Sequence, residues 1–170
     1  MAAAPVVSAG SRGSDFLALT KPRLNLLVLI TTLGGLYLAA PQGVPPLLLL
    51  HTVIGTALVA GGASALNQVW ERTTDGLMRR TRGRPVPDGR LQAAEGTRFG
   101  LVLAAAGLAQ LALGVNALAA AVAAVTLGSY VLSVKFARER STAAARRLFF
   151  ASIAYLPLLW AVLVANRLWF

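Results

Sequence analysis

Five long apolar runs, separated by short polar segments, organise this chain. They lie at about 24–40, 47–70, 99–114, 117–136 and 148–165. Each approaches the roughly 20 apolar residues that a helix needs to cross ~30 Å of hydrocarbon. The predicted fold is therefore all-α, a multi-pass transmembrane helix bundle of about five spans. The first run is entered through Thr20-Lys21-Pro22-Arg23. Thr20 is the expected N-cap, and Pro22 suits the first turn, where a missing N–H costs nothing. The second run holds Gly55, Gly61, Gly62, Ala63 and Ser64, small residues that let helices approach closely in lipid. Residues 41–46 and Val115-Asn116 read as uncharged turns, and Pro157 is expected to kink the fifth run. Residues 1–14, rich in Ala, Gly and Ser, read as a disordered N-terminus, and 15–170 as one transmembrane helical domain. The first apolar run starts too far in and is too long for a cleaved signal peptide.

Composition agrees with this pattern. Of the 170 residues, 56% are hydrophobic and 13% charged, with a mean hydropathy of +0.67 that a soluble domain of this length rarely reaches. The net charge of +10 raises nucleic acid as a partner, but the positions of the charges argue against it. Fourteen of the sixteen basic residues fall before run one, between runs two and three, or between runs four and five, and Lys135 at the end of run four lies on that same side; Arg167 is the exception. By the positive-inside rule that side is the cytoplasm, with the N-terminus inside and the C-terminus outside. The expected location is a bacterial cytoplasmic (inner) membrane. With no cysteine, disulfides and thiolate metal sites are excluded.

Charge is concentrated at 67–90, which carries six of the sixteen basic residues and, with Glu95 just beyond, four of the six acids. Polar groups are costly near lipid, so their concentration marks a candidate site. Asn67, Glu71 and Asp75 are spaced i, i+4, i+8 and share one helix face over about 12 Å. Hard oxygen donors at the mouth of a span suit Mg²⁺, which prefers a few carboxylates plus substrate phosphates. Arg79, Arg80, Arg82 and Arg84 follow, and a guanidinium pairs well with phosphate oxygens. Lys21 and Arg23 lie on the same side of the membrane. The bland alternative is a solvated helix end whose charges set topology and touch headgroups.

The run from Ala65 to Arg90 resembles the first polar motif of the intramembrane prenyltransferases, most closely the protoheme IX farnesyltransferase (haem O synthase) family. Trp70-Glu71-Arg72, Asp75 four residues on, Met78-Arg79-Arg80-Thr81-Arg82 and Arg84-Pro85 before Gly89-Arg90 carry the likeness. Leu19-Thr20-Lys21-Pro22-Arg23 adds to it, and the match covers 15 to about 130. The resemblance implies Mg²⁺ on Asn67, Glu71 and Asp75. It implies catalytic roles for these three with Arg79 and Arg80, and diphosphate contacts from Lys21, Arg23, Arg72, Arg82 and Arg84. The implied reaction moves a farnesyl group from farnesyl diphosphate to a vinyl group of haem B, with water adding, and gives haem O.

The family is expected to have about nine spans, needing roughly 300 residues, and a second Asp-rich motif facing the first. Here the only acid after Glu95 is Glu139. Residues 136–150 and 155–159 resemble the family's last loop and helix. The chain thus reads as truncated: a front half joined to a tail, with a junction near 129–135. Two copies facing one cavity would supply a second acidic set, so a homo-oligomer is one expectation. A catalytically impaired homologue that binds haem or isoprenoid is the other.

Other residues admit two readings. His51 is either a haem ligand or an interfacial histidine, the latter favoured because it lies at the far end of run two. Trp70 beside the motif is either a cation–π partner for a carbocation or an interfacial aromatic. Asp88 in Pro85-Val-Pro-Asp-Gly89 reads as a turn residue rather than a ligand.

Overall fold

The computed structural model describes residues 11–40, 42–139, 143, 146, 147, 149 and 150. Its elements are α1 (Arg12–Leu19), α2 (Pro22–Ala39), α3 (Pro46–Leu77), α4 (Ala93–Gly114) and α5 (Ala117–Glu139). Among the described residues all regular structure is helical. Helices α2 to α5 are each long and apolar enough to cross a membrane, with mean hydropathies from 1.3 to 1.9 over their most apolar windows. The expected fifth span, with Pro157, lies outside the described residues except for Phe149 and Phe150.

The element boundaries show which local rules prevail. Residues 11–14, expected in the disordered N-terminus, instead open α1: the Ser11 hydroxyl accepts from the Ser14 amide and caps the helix. Thr20 is not the N-cap of α2 but the C-cap of α1, and Lys21 takes the N-cap position. Pro22 at the start of α2 disfavours the right-handed helical region for the residue before it, so the chain breaks at Lys21. Helix α3 continues past the apolar run to Leu77, through the polar motif. Helix α4 starts at Ala93 rather than 99, because the Glu95 carboxylate accepts from the Gln92 amide, one half of a capping box. The Asn116 side chain caps α5 through the Ala119 amide at 2.7 Å. The expected junction at 129–135 lies within the continuous α5.

The chain forms two compact units. The first comprises Met1–Val44 and Ala57–Ala106. Its core is Leu19, Ala65, Val69, Val86 and Leu91, flanked by Phe16, Ala93 and Phe99. The Phe16 and Phe99 rings pack with centroids 5.0 Å apart. Here α3 and α4 touch backbone to backbone: a Cβ on Gly62 would stand 2.6 Å from the Gly100 carbonyl oxygen and 2.7 Å from the Ala104 nitrogen. In lipid, apolar association gains little from water release, so such close van der Waals contact is what joins helices.

The second unit comprises Pro45–Thr56 and Gly107–Phe170. His51 Nδ1 and Gln110 Nε2 are hydrogen-bonded at 2.6 Å, and Gly114 leaves room for the imidazole, since a Cβ there would meet the ring at 2.4 Å. His51 is thus engaged in helix–helix packing. The apolar window of α5 has 0% of its residues buried and that of α2 only 6%. Leu24, Leu26, Leu27 and Ile30 of α2 are each more than half exposed. Apolar surface on that scale needs hydrocarbon around it.

Gly62→Val is expected to destabilise the protein by about 1–3 kcal/mol, the usual cost of overpacking. Gly34→Ala, where an added Cβ meets nothing within 4 Å, is expected to be neutral or slightly stabilising. Denaturant unfolding in detergent, followed by circular dichroism, measures both.

Candidate functional site

Helix α3 has 32 residues, and crossing the hydrocarbon takes only about 20 of them. Its charged residues, Glu71, Arg72 and Asp75, all lie in the C-terminal turns, just after Asn67. Asn67 Nδ2 donates to Glu71 Oε2 at 3.0 Å. Arg84 Nη1 lies 2.5 Å from Asp75 Oδ2 and 3.8 Å from Glu71 Oε2. The Asp75 side chain is 2% exposed, whereas that of Glu71 is 46% exposed. A buried carboxylate needs a partner of opposite charge, and Arg84 provides it.

The loop after α3 winds back to make this pairing. Thr81 and Arg82 amides donate to the Met78 carbonyl, Asp88 to Arg84, and Leu91 to Pro85. Thr81 Oγ1 donates to the backbone carbonyl of Asp75 at 2.9 Å. Gly89, at φ 79°, makes the turn after Asp88. The Asp88 carboxylate pairs with Arg90, consistent with its reading as a turn residue. Arg90 also binds the buried Asp15 at 3.0 Å and the Gly83 carbonyl at 3.1 Å, tying the loop to α1.

Lys21 is within electrostatic reach of the Glu71, Asp75 and Arg84 charges but forms no ion pair with Glu71 or Asp75. It adopts φ 49°, ψ 63°, the left-handed region that costs a residue with a side chain about 1–2 kcal/mol. Its ammonium is half-buried, and its pKa is lowered below 10.5, first by burial and then by the like charge of Arg84. Glu71 and Asp75 act in the opposite direction.

Asn67, Glu71, Asp75 and Arg84 therefore come together, with Lys21 within electrostatic reach. The other expected site residues do not join the carboxylates. Arg72 turns back to the Val69 carbonyl at 3.0 Å. Arg23 is exposed on the first turn of α2. Arg79, Arg80 and Arg82 line a neighbouring cleft of about 430 Å³, and no ion pair joins them to Glu71 or Asp75. Among the described residues no group of three or more His, Cys, Asp or Glu is placed to hold a metal. The two carboxylates and one amide on α3 are nevertheless hard oxygen donors of the kind Mg²⁺ takes when a substrate phosphate completes its shell.

Several contributors were not legible as site residues. Gln68 and Asn25 grip the corner before α2, Asp15 and Arg90 anchor the loop, and Thr81 closes it onto α3. Gln68 and Asn25 offer only residue type as a signal. The Asp15–Arg90 pair spans 75 positions, which no local pattern reveals.

A model of the UbiA prenyltransferase family matches residues 28–170. The chain belongs to the UbiA prenyltransferase family. Among UbiA relatives it is similar to the protoheme IX farnesyltransferase of Myxococcus xanthus, 48% identical over 131 residues that cover 77% of this chain and 44% of the relative. The enzyme of the same name from Solibacter usitatus is 46% identical over 126 residues, 69% of this chain and 43% of the relative. That from Stutzerimonas stutzeri is 44% identical over 128 residues, 75% and 43% of the two chains. The chain thus spans under half the length of these curated relatives. No solved structure matches it. UbiA membership and four spanning-length helices make it an integral membrane protein.

Arg84→Gln should destabilise the fold by about 2 kcal/mol, below the ~3–5 kcal/mol of a fully buried broken pair because the guanidinium is 27% exposed. Adding Asp75→Asn should recover most of that loss in a double-mutant cycle. For Lys21, the unfolded chain binds the more protons between the lowered folded pKa and 10.5. Stability therefore rises with pH across that window. Lys21→Met should flatten the rise in melting curves taken from pH 8 to 10.5.

Proposed function

We propose that this chain carries the diphosphate-binding part of a protoheme IX farnesyltransferase, which transfers farnesyl from farnesyl diphosphate to a vinyl group of haem B and gives haem O. The observation that carries this reading is the pairing of Glu71 and Asp75 with Arg84 at the end of a helix of spanning length, with Lys21 within electrostatic reach. The names of the relatives support the acceptor and the donor.

Asn67, Glu71 and Asp75 would hold Mg²⁺, which when bound neutralises charge on the leaving diphosphate. Lys21 and Arg84 bind its non-bridging oxygens, and Arg84 exchanges carboxylate for phosphate as it does so. The five other site arginines, Arg23, Arg72, Arg79, Arg80 and Arg82, raise the local concentration of anions at this surface. The first unit also has an apolar groove of about 490 Å³, whose lining includes Phe16, Leu26, Leu29, Leu58 and Phe99. Its apolar lining suits an isoprenoid chain. Loss of diphosphate breaks the C1–O bond of farnesyl. C1 then bonds to the terminal vinyl carbon, and water adds to the resulting cation with release of a proton.

The basic loops favour a cytoplasmic site, with the N-terminus inside, in a bacterial inner membrane. Two carboxylates are few for a diphosphate, which favours a homo-oligomer sharing one cavity. The span of less than half the relatives' length favours a second reading, a shortened homologue that binds substrate without turning it over.

Reconstitution in bilayers with farnesyl diphosphate, Mg²⁺ and haem B should yield haem O, detected by mass spectrometry. Asp75→Asn should lower the rate at least about 100-fold, in the range for loss of one electrostatic group. Haem O formed equally by Asp75→Asn would refute the metal assignment. Substrate binding without product would favour the second reading, and turnover by a strict monomer would exclude the shared cavity.

A further inference from the structure

We infer that Gln68 and Asn25 are positioning residues: Gln68 holds the Ala18 and Leu19 carbonyls onto α3, Asn25 holds the Thr20 carbonyl onto α2, and together they fix the left-handed Lys21 corner so that its ammonium is within electrostatic reach of the Glu71, Asp75 and Arg84 group and meets a phosphate oxygen there. The second half of this statement rests on the diphosphate reading above.

The corner is an unfavourable piece of backbone. A helix of eight residues ends there, leaving orphan carbonyls. Lys21 then takes a left-handed conformation immediately before a proline. Such conformations persist only where surrounding structure over-determines them. Two amide side chains do so here. Gln68 Nε2 donates to the Ala18 and Leu19 carbonyls, both at 3.0 Å. Asn25 Nδ2 donates to the Thr20 carbonyl at 2.6 Å, while its backbone amide bonds the Lys21 carbonyl at 3.1 Å. Four consecutive carbonyls, 18 to 21, are thus held.

The clamp is aligned with the site. Gly61, Gln68 and Asp75 are spaced by seven, two helical turns, and so share one face of α3. At Gly61 the corner comes close: an added Cβ would lie 3.5 Å from the Thr20 side chain and 3.7 Å from Asn25 Nδ2. Gln68 is 2% exposed, and its Oε1 has no hydrogen-bond partner. A buried unpartnered oxygen is destabilising. A methionine would fill the same space without it, so core packing alone does not account for glutamine there.

The test uses the full chain in lipid nanodiscs with its two lysines, Lys21 and Lys135, labelled by ¹³C-methylation. Lys21→Met assigns the signals. At fixed pH, Gln68→Met and Asn25→Ala should each move the Lys21 signal and leave that of Lys135 in place. Inorganic pyrophosphate with Mg²⁺ should bind the wild type, and Gln68→Met should weaken it about fivefold, the worth of one hydrogen bond. In a Lys21→Met background Gln68→Met should have no further effect, whereas a general loss of structure would weaken both backgrounds. An unmoved Lys21 signal in both variants overturns the clamp. So does undiminished binding by Gln68→Met. Failure of the wild type itself to bind pyrophosphate overturns the diphosphate reading, and with it the role given to Lys21.

Discussion

The buried ion pair between Asp75 and Arg84 is the interaction on which the polar end of the first unit depends. A carboxylate with 2% exposure at the end of α3 is tolerable only when compensated, and its partner comes from nine residues further along the chain. To deliver that partner the loop must reverse, and the reversal buries Thr81, Val86 and Leu91. Val86 and Leu91 then join the core with Leu19 of α1. One electrostatic requirement thus organises the loop, the small core beneath it and the docking of the first helix. Arg90 on Asp15 reinforces the same arrangement from the other side.

Elsewhere the solvent that the sequence implies is hydrocarbon, and the constraints change. Helices α2 and α5 bury almost nothing within the chain, because lipid covers apolar side chains as well as protein does. Association in the first unit rests instead on the missing side chains of Gly62 and Gly100, and in the second on Gly55 and Gly114. The Gly55 contact is with Leu111, whose side chain would stand 2.7 Å from a Cβ there. Small residues and a few hydrogen bonds, such as His51 with Gln110, fix neighbours where apolarity alone does not discriminate.

Hydropathy made four of the helices legible, since length and apolarity are properties of local sequence. Their ends were less so. Hydropathy does not mark the polar turns of α3 from Glu71 to Leu77, and only the i, i+4, i+8 spacing of Asn67, Glu71 and Asp75 indicated that the helix carries on through them. The start of α4 was hidden in the same way, because Glu95 acts as a cap rather than as a loop charge. At the site, the spacing of Asn67, Glu71 and Asp75 announced a shared face. The partition of the arginines did not appear: Arg84 turns to the acids while Arg79, Arg80 and Arg82 line another cleft. That choice follows from loop winding, which depends on contacts far apart in sequence. Gln68 and Asn25 were invisible because amides acquire meaning only from the carbonyls they meet.

The four charges grouped at the C-terminal end of α3 sum to zero: two carboxylates, one guanidinium and one ammonium. Near a low-dielectric layer, an electroneutral resting state avoids the self-energy of a net charge. A bare anion or a bare cation would each leave an excess at the membrane surface. A metal and a polyanion arriving as a near-neutral complex would disturb the balance least. By its own charge the group is thus neither a cation trap nor an anion trap, and the positive field at this end of the helix comes from the arginines around it.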